Sequence, residues 1–417
     1  MGATVTVNEE LLGKIESYED YAIEMQRGLT AIPAVSPTCG GEGEYDKALW
    51  LEKQLKGMKF DSIQRYDAPD KAAKNGIRPN IVARYKGRSS SRTFWIMSHL
   101  DVVPPGERSL WKTDPYKLHV QGRKLFGRGV EDNQQAVVSS LLIAKAMMEC
   151  GVRPDVDFAL LFVADEEVGS GFGADYLVSK HRGIFGKRDM FMVPDGGNPE
   201  GTLVEVAEKS IMWLKVHTVG KQCHASMPEL GRNAHVAACE LVTRLRDLYK
   251  KFPKKDKLFE PPGSTFEATK KENNVPNINT IPADDVFYLD SRVLPDYPLA
   301  KVKAEIRRHA DAVEKKHGVK ITCTSEQEGQ AAPKTSPDAD VVRLLVDAIH
   351  EVHGFKPKPK GIGGGTVAAF LRRLGLDAVV YSKLEETAHQ PNESCNLDDL
   401  LADAKVFAIA ALNTRPT

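Results

Sequence analysis

Ser98-His99-Leu100-Asp101 sets an imidazole and a carboxylate two residues apart. Side chains alternate along a strand, so His99 and Asp101 at a strand end point the same way. A histidine that binds a metal through one ring nitrogen needs its other N–H held, and a carboxylate at this spacing holds it. Further on, Gly127-Arg128-Gly129-Val130-Glu131-Asp132-Asn133 uses two glycines for a tight turn and puts Asp132 at the start of an apolar helix. Taken alone, Asp132 reads first as an N-cap, worth about 1 kcal/mol. Asp165, Glu166 and Glu167 then follow one another directly after the apolar run Phe158–Ala164. Adjacent carboxylates at the end of a buried strand repel, and a bound cation would offset that repulsion. A solvated acidic loop is the other reading. Asp195 in Val193–Gly197 and His389 in Glu386–Glu393 complete five segments of this kind.

The elements around them alternate. Helices are expected at Glu9–Leu29, Tyr45–Met58, Asn133–Cys150 and Phe172–Lys180, and strands at Asn80–Tyr85, Thr93–Ser98, Phe158–Ala164 and Met190–Val193. Fully apolar strands between helices predict an α/β fold whose mostly parallel sheet is covered by helices on both faces. Four of the five segments follow strands, and in an open α/β sheet ligands bind beyond the carboxyl ends of the strands.

The pattern changes near residue 208. Ile211–Val219 alternates apolar and polar residues, as a sheet with one open face would. A helix over 233–252, a strand Val286–Val293, a helix Leu299–His317 and a strand Val319–Thr324 complete a small α+β domain, and the polar connector Gly329–Asp338 leads back to the first pattern. We therefore expect a discontinuous catalytic domain, 1–207 plus 329–417, with an inserted domain at 208–328. In the returning part, Gly361-Ile362-Gly363-Gly364-Gly365-Thr366 precedes a helix, so its N–H groups can cradle a carboxylate. It lacks GxxxxGK[ST], and no strand is expected to lead into it, which argues against a nucleotide loop.

Composition excludes other classes. Lys plus Arg and Asp plus Glu are both 57, so the chain lacks the basic excess of a nucleic-acid binder. No apolar stretch reaches the roughly 20 residues of a membrane span. The N-terminus has no signal-peptide pattern, and Gly2 with Thr6 is taken as a chance match to a myristoylation motif. Six dispersed cysteines without a CxxC pair suit a reducing cytoplasm.

Together the segments SHLD, GRGVEDN, ADEEVGS, PDGG and ETAHQPNE, in this order, resemble the zinc-dependent aminoacylase and exopeptidase family of clan MH. That family includes acetylornithine deacetylase, succinyl-diaminopimelate desuccinylase, carboxypeptidase G and carnosinase-type dipeptidases. GKQCHASMPELGRNA, DSRV and GIGGGT agree with it outside the acidic cluster, and the desuccinylase-like branch is nearest. The resemblance implies that His99, Asp132 and Asp195 hold one divalent metal, that Asp132, Glu167 and His389 hold the other, that Asp101 orients His99, and that Glu166 is the general base. Imidazole and carboxylate ligands suit Zn²⁺, and also Co²⁺ or Mn²⁺. It further implies a homodimer through the inserted domain, in which His224 supplies an oxyanion donor to the partner's site. Arg292 is expected to clamp a substrate carboxylate, with a surface salt bridge as the alternative. Asn279, Gly364, Gly365 and Thr366 are expected as further substrate contacts. The implied activity is hydrolysis of the amide bond of N-acyl amino acids, with a metallo-dipeptidase or other exopeptidase as the alternative. Asp195 departs from the desuccinylases and carboxypeptidase G, which carry Glu there, and agrees with acetylornithine deacetylase and several aminopeptidases.

Overall fold

A computed structural model describes residues 7–417. The Gly2–Thr6 segment lies outside them. Two compact units form: one from the N-terminal part up to Val206 with Lys334–Lys360 and Thr366–Thr417, the other from Ala207–Pro333 with Gly361–Gly365. The short segment Gly361–Gly365 thus groups with the second unit rather than with the residues around it in sequence.

The sheet that begins in the first unit runs in the order Ser62–Pro69, Ile77–Tyr85, Val156–Val163, Ser89–His99, Met190–Val193, Asp377–Val380, Val204–Glu208, Pro359–Ile362. Its four central members, from Val156–Val163 to Asp377–Val380, are parallel. Antiparallel strands flank them. Burial explains the sequence: Phe158–Val163 and Phe94–His99 are buried at every position, so neither strand can alternate. The helix Gln134–Glu149 is apolar nearly all round because almost all of it is buried. Its buried Ser139 and Ser140 hydroxyls donate to carbonyls three residues back, so they leave no open donor.

The structure differs from expectation in a few elements. The expected helix Glu9–Leu29 is two helices, Val7–Glu16 and Glu19–Thr30. Residues 17 and 18 form the turn between them, their N–H groups donating to the Lys14 and Ile15 carbonyls, each at 3.1 Å. The helix expected over 233–252 ends at Leu245, and Leu248–Lys251 forms a separate turn. A strand, Pro359–Ile362, does lead into the glycine-rich loop.

The second unit is built differently. Its four-stranded antiparallel sheet runs Thr265–Lys271, Asp284–Val293, Ser210–Val219, Lys320–Gly329. Met212, Leu214 and Val216 on one face pack with Leu241 and Leu245 of helix Ala234–Leu245 and with Val302 and Ile306 of helix Leu299–His317. The intervening residues Trp213, Lys215 and His217 stay outside that core, which is the alternation the sequence shows.

At the amino ends of the central strands, Asp189 anchors the first unit. Its carboxylate accepts the Thr93 N–H at 2.8 Å, the Trp95 indole N–H at 2.7 Å and the Gly186 N–H at 2.8 Å. Trp95 is fully buried and stacks on Phe191 at 5.6 Å. Asp189→Ala strands these donors and should cost about 3 kcal/mol or more in urea unfolding. Because Asp189 sits at the opposite strand ends from the acidic segments, metal affinity of the folded variant should stay unchanged.

Candidate metal centre

The carboxyl ends of the four central parallel strands deliver the acidic and imidazole side chains. His99 ends its strand level with Val163 of the neighbouring strand. Asp165, Glu166 and Glu167 follow that neighbour, Asp195 follows Met190–Val193, and His389 lies in the loop after Asp377–Val380. Asp132 enters from the turn before helix Gln134–Glu149. Several of these residues sit in left-handed backbone: Asp165 at φ 65°, Glu386 at φ 59° and His389 at φ 64°. For residues other than glycine such backbone costs roughly 1–3 kcal/mol and gathers at functional sites.

Asp132 is the centre of the arrangement. Its Oδ1 lies 2.9 Å from His99 Nε2 and its Oδ2 lies 3.1 Å from His389 Nε2. Asp195 Oδ1 stands 3.4 Å from His99 Nε2, and Glu167 Oε2 stands 3.0 Å from His389 Nε2. Two ligand groups result, His99–Asp132–Asp195 and Asp132–Glu167–His389, with the donor atoms of each within 4.8 Å of one another. The donor set fits divalent cations: two neutral-capable imidazoles, carboxylates, and a fully buried Glu167 Oε1 without a hydrogen-bond partner. Asp132 presents one oxygen to each group.

The electrostatics are those of a place built for positive charge. Burial, reinforced by the charge of Asp195, pushes the Glu166 carboxyl well above the usual range. Burial also raises Asp195 and Glu167. Burial works against charge on His99, but the charge of Asp195 and hydrogen bonds to Asp101 and Asp132 outweigh it and raise the imidazole. Hydrogen bonds to Asp132 and Glu167 push His389 up to about 10.

Asp101 does two things at once. Its carboxylate accepts the backbone N–H groups of Glu166 and Glu167, each at 3.0 Å, and its Oδ1 lies 3.4 Å from His99 Nδ1. The His99 Nδ1 also faces the Asp101 carbonyl at 3.1 Å, which leaves Nε2 for the site. Glu166 belongs to neither ligand group.

Three further residues position the site and escaped the sequence reading. Asn133 donates to Asp195 Oδ1 at 2.8 Å and to the Pro194 carbonyl at 2.9 Å. Glu393, fully buried, accepts the N–H groups of Gly129, Glu131 and Asp132 at 2.9–3.0 Å and the Arg128 guanidinium at 2.5 Å. Glu131 accepts the Thr387 N–H at 2.6 Å and its hydroxyl at 2.7 Å. Glu131, Asn133 and Glu393 all stand inside the quoted segments, but only coordinates reveal which loop each one holds. A cleft of about 380 Å³ beside Asp132 and Asp195 is lined by Gly196, Gly197, Leu384 and Glu386.

The remaining candidates divide between the units. In the second unit, His224 pairs with Thr280 in a short two-stranded ladder, and the Asn279 carbonyl accepts the Ala225 N–H, so His224 and Asn279 are brought together. Both ends of the Arg292 side chain are engaged: Nε and Nη2 donate to Asp290 at 2.9 and 3.2 Å, and Nη1 donates to the Gly363 carbonyl at 2.8 Å. The glycine-rich loop through Gly364 and Gly365 is thus tied to Arg292, whereas Thr366 falls in the first unit. All six cysteines are free, and none is in either ligand group. Among the described residues no helix is long and apolar enough to cross a membrane.

An uncharacterized metallohydrolase of Methanococcus maripaludis is 39% identical over 416 residues, covering 94% of this chain and 99% of that protein. The succinyl-diaminopimelate desuccinylase of Cereibacter sphaeroides is 25% identical over 375 residues, covering 89% and 93%. The structure of the dipeptidase Dug1p of Saccharomyces cerevisiae superposes with a TM-score of 0.70 at 18% identity, over 97% of this chain and 98% of that one, and shares the fold. The family model for peptidases M20/M25/M40 matches residues 95–413, a span that holds both ligand groups. With that match over most of its length, the chain belongs to the M20/M25/M40 peptidase family, whose members are metal-dependent hydrolases of amide bonds.

Proposed function

We propose that the chain hydrolyses the amide bond of N-acyl amino acids with two divalent cations, as a deacylase of the desuccinylase and acetylornithine deacetylase type. The observation that carries this reading is Asp132, one oxygen toward His99 and the other toward His389. Similarity to a desuccinylase over most of both chains supports the substrate class. When bound, the cations, Zn²⁺ or else Co²⁺ or Mn²⁺, polarise the scissile carbonyl and acidify a water. His99, Asp132 and Asp195 would hold one, and Asp132, Glu167 and His389 the other.

This chain's own residues supply the rest. Glu166 takes the proton of the attacking water and returns it to the leaving nitrogen. Asp101 keeps that base in register through the two backbone N–H groups it accepts. His224 provides the oxyanion donor. Its Nδ1 is engaged within its own loop by the Ser226 hydroxyl at 2.7 Å and the Ser226 N–H at 3.2 Å, which leaves Nε2 as the nitrogen to donate. Arg292 clamps the substrate carboxylate. A guanidinium has five N–H donors, and three are used by Asp290 and Gly363, so two remain for a bidentate grip. Asn279, Gly364, Gly365 and Thr366 add polar contacts. In this reading the inserted unit acts as a lid and joins a cytoplasmic homodimer, each copy lending His224 to the other. A metallo-dipeptidase or other exopeptidase is the second reading, since Asp195 departs from the Glu of the desuccinylases and agrees with several aminopeptidases as well as with acetylornithine deacetylase.

A panel of N-succinyl and N-acetyl amino acids against dipeptides, run with Zn²⁺, Co²⁺ and Mn²⁺ in turn, separates the two. Turnover of the acylated amino acids supports the deacylase, and turnover of dipeptides alone the alternative. Glu166→Gln should keep both metals and lower kcat at least about 100-fold, because Gln accepts no proton. A fall under about tenfold with full metal content contradicts the role of Glu166. Heterodimers of His224→Ala with Glu166→Gln chains should recover up to half of a dimer's activity, one competent site of two. Verified heterodimers that stay inactive rule out a shared site.

A further inference from the structure

Two buried carboxylates clasp the loops that bring Asp132 and His389 together. Glu393, four residues after His389, reaches across to the turn at 129–132 and fixes the N–H of Asp132 itself. Glu131, next to Asp132, reaches the opposite way and takes both the N–H and the hydroxyl of Thr387, two residues before His389. The Thr387 hydroxyl also accepts the Ser394 N–H at 2.9 Å, so it ties both ends of the His389 loop to one carboxylate. Glu131 is 2% exposed and Glu393 0%, so both carboxylates depend on protein donors rather than bulk water.

The two halves of the clasp are not equivalent. Glu393 holds Asp132, which faces both imidazoles. Glu131 holds only the His389 loop, and His389 faces Glu167 and one oxygen of Asp132. His99 and Asp195 take their support from Asp101 and Asn133 instead. His389 is also the most exposed of the ligands, its side chain 54% accessible against 1% for His99, so packing alone does not hold it.

We propose that Glu131, acting through Thr387, is a positioning residue for the second cation only, so that the Glu131–Thr387 bond sets the affinity of the Asp132–Glu167–His389 group and leaves that of His99–Asp132–Asp195 unchanged. This rests on the two-cation reading above. Residues that orient metal ligands from behind typically change metal affinity about 10- to 100-fold.

The test is a Co²⁺ titration of the full-length chain after chelation, followed by calorimetry and by visible absorption, which resolves two binding steps. Thr387→Val is nearly isosteric and removes the hydroxyl; Thr387→Ser keeps it. Thr387→Val should weaken one of the two steps about tenfold or more, leave the other within about threefold, and alter the absorption of the weakened Co²⁺ alone. Thr387→Ser should match the parent. Glu131→Ala should exceed Thr387→Val in the same direction, and if it fails to fold, the threonine pair decides. Unchanged steps, equal weakening of both, or a serine variant as weak as the valine one overturns the clasp. A parent that binds one Co²⁺ overturns the two-cation reading itself, and the clasp with it; a parent that binds two separates the failures.

Discussion

The rest of this structure depends on how one cleft tolerates its negative charge. Asp101, Asp132, Glu166, Glu167 and Asp195 converge at the carboxyl ends of four parallel strands, largely out of water. At a few ångströms in a medium of low effective dielectric, such charges repel by several kcal/mol per pair. Part of the carboxylate charge in and around this cleft is satisfied by the protein itself. Asp101 is satisfied by backbone N–H groups, and Glu393 by Arg128 and three more. Behind the acidic loop, the buried Arg78 pairs with Glu44 and lies 3.1 Å from Asp165. Burial holds the Lys47 ammonium down to about 8, against the pull of Asp101, Glu44 and Glu393. Asp132, Asp195 and Glu167 instead face imidazoles and one another, the arrangement two cations would satisfy.

That division explains what could be read from the sequence. Strand ends were legible because Phe158–Val163 and Met190–Val193 are uninterrupted apolar runs, and a carboxylate straight after such a run is conspicuous. The resemblance then distributed His99, Asp132, Glu167, Asp195 and His389 into two groups, and the geometry brings those same residues together. The alternation in Ser210–Val219 likewise reported a sheet with one packed face.

What stayed hidden depends on contacts distant in sequence. Glu393 and Gly129 are 264 residues apart, and Glu131 and Thr387 are 256 apart. No periodicity connects them. The flanking strand Ser62–Pro69 was missed because its burial is partial and irregular, without the apolar run or the clean alternation that marks the others. Gly361–Gly365 groups with the second unit, where Gly363 accepts from Arg292, 71 residues away in sequence, and the Gly361 N–H donates to the Leu258 carbonyl.

Asp132 is proposed to serve two cations at once. A crystal structure of the Zn²⁺-loaded chain, with anomalous scattering recorded across the zinc edge, tests it directly. Two anomalous peaks about 3.5–4 Å apart, with Asp132 Oδ1 on one and Oδ2 on the other, are the predicted result. A single peak at full occupancy, or two peaks with Asp132 bound to only one of them, would rule out a bridging Asp132.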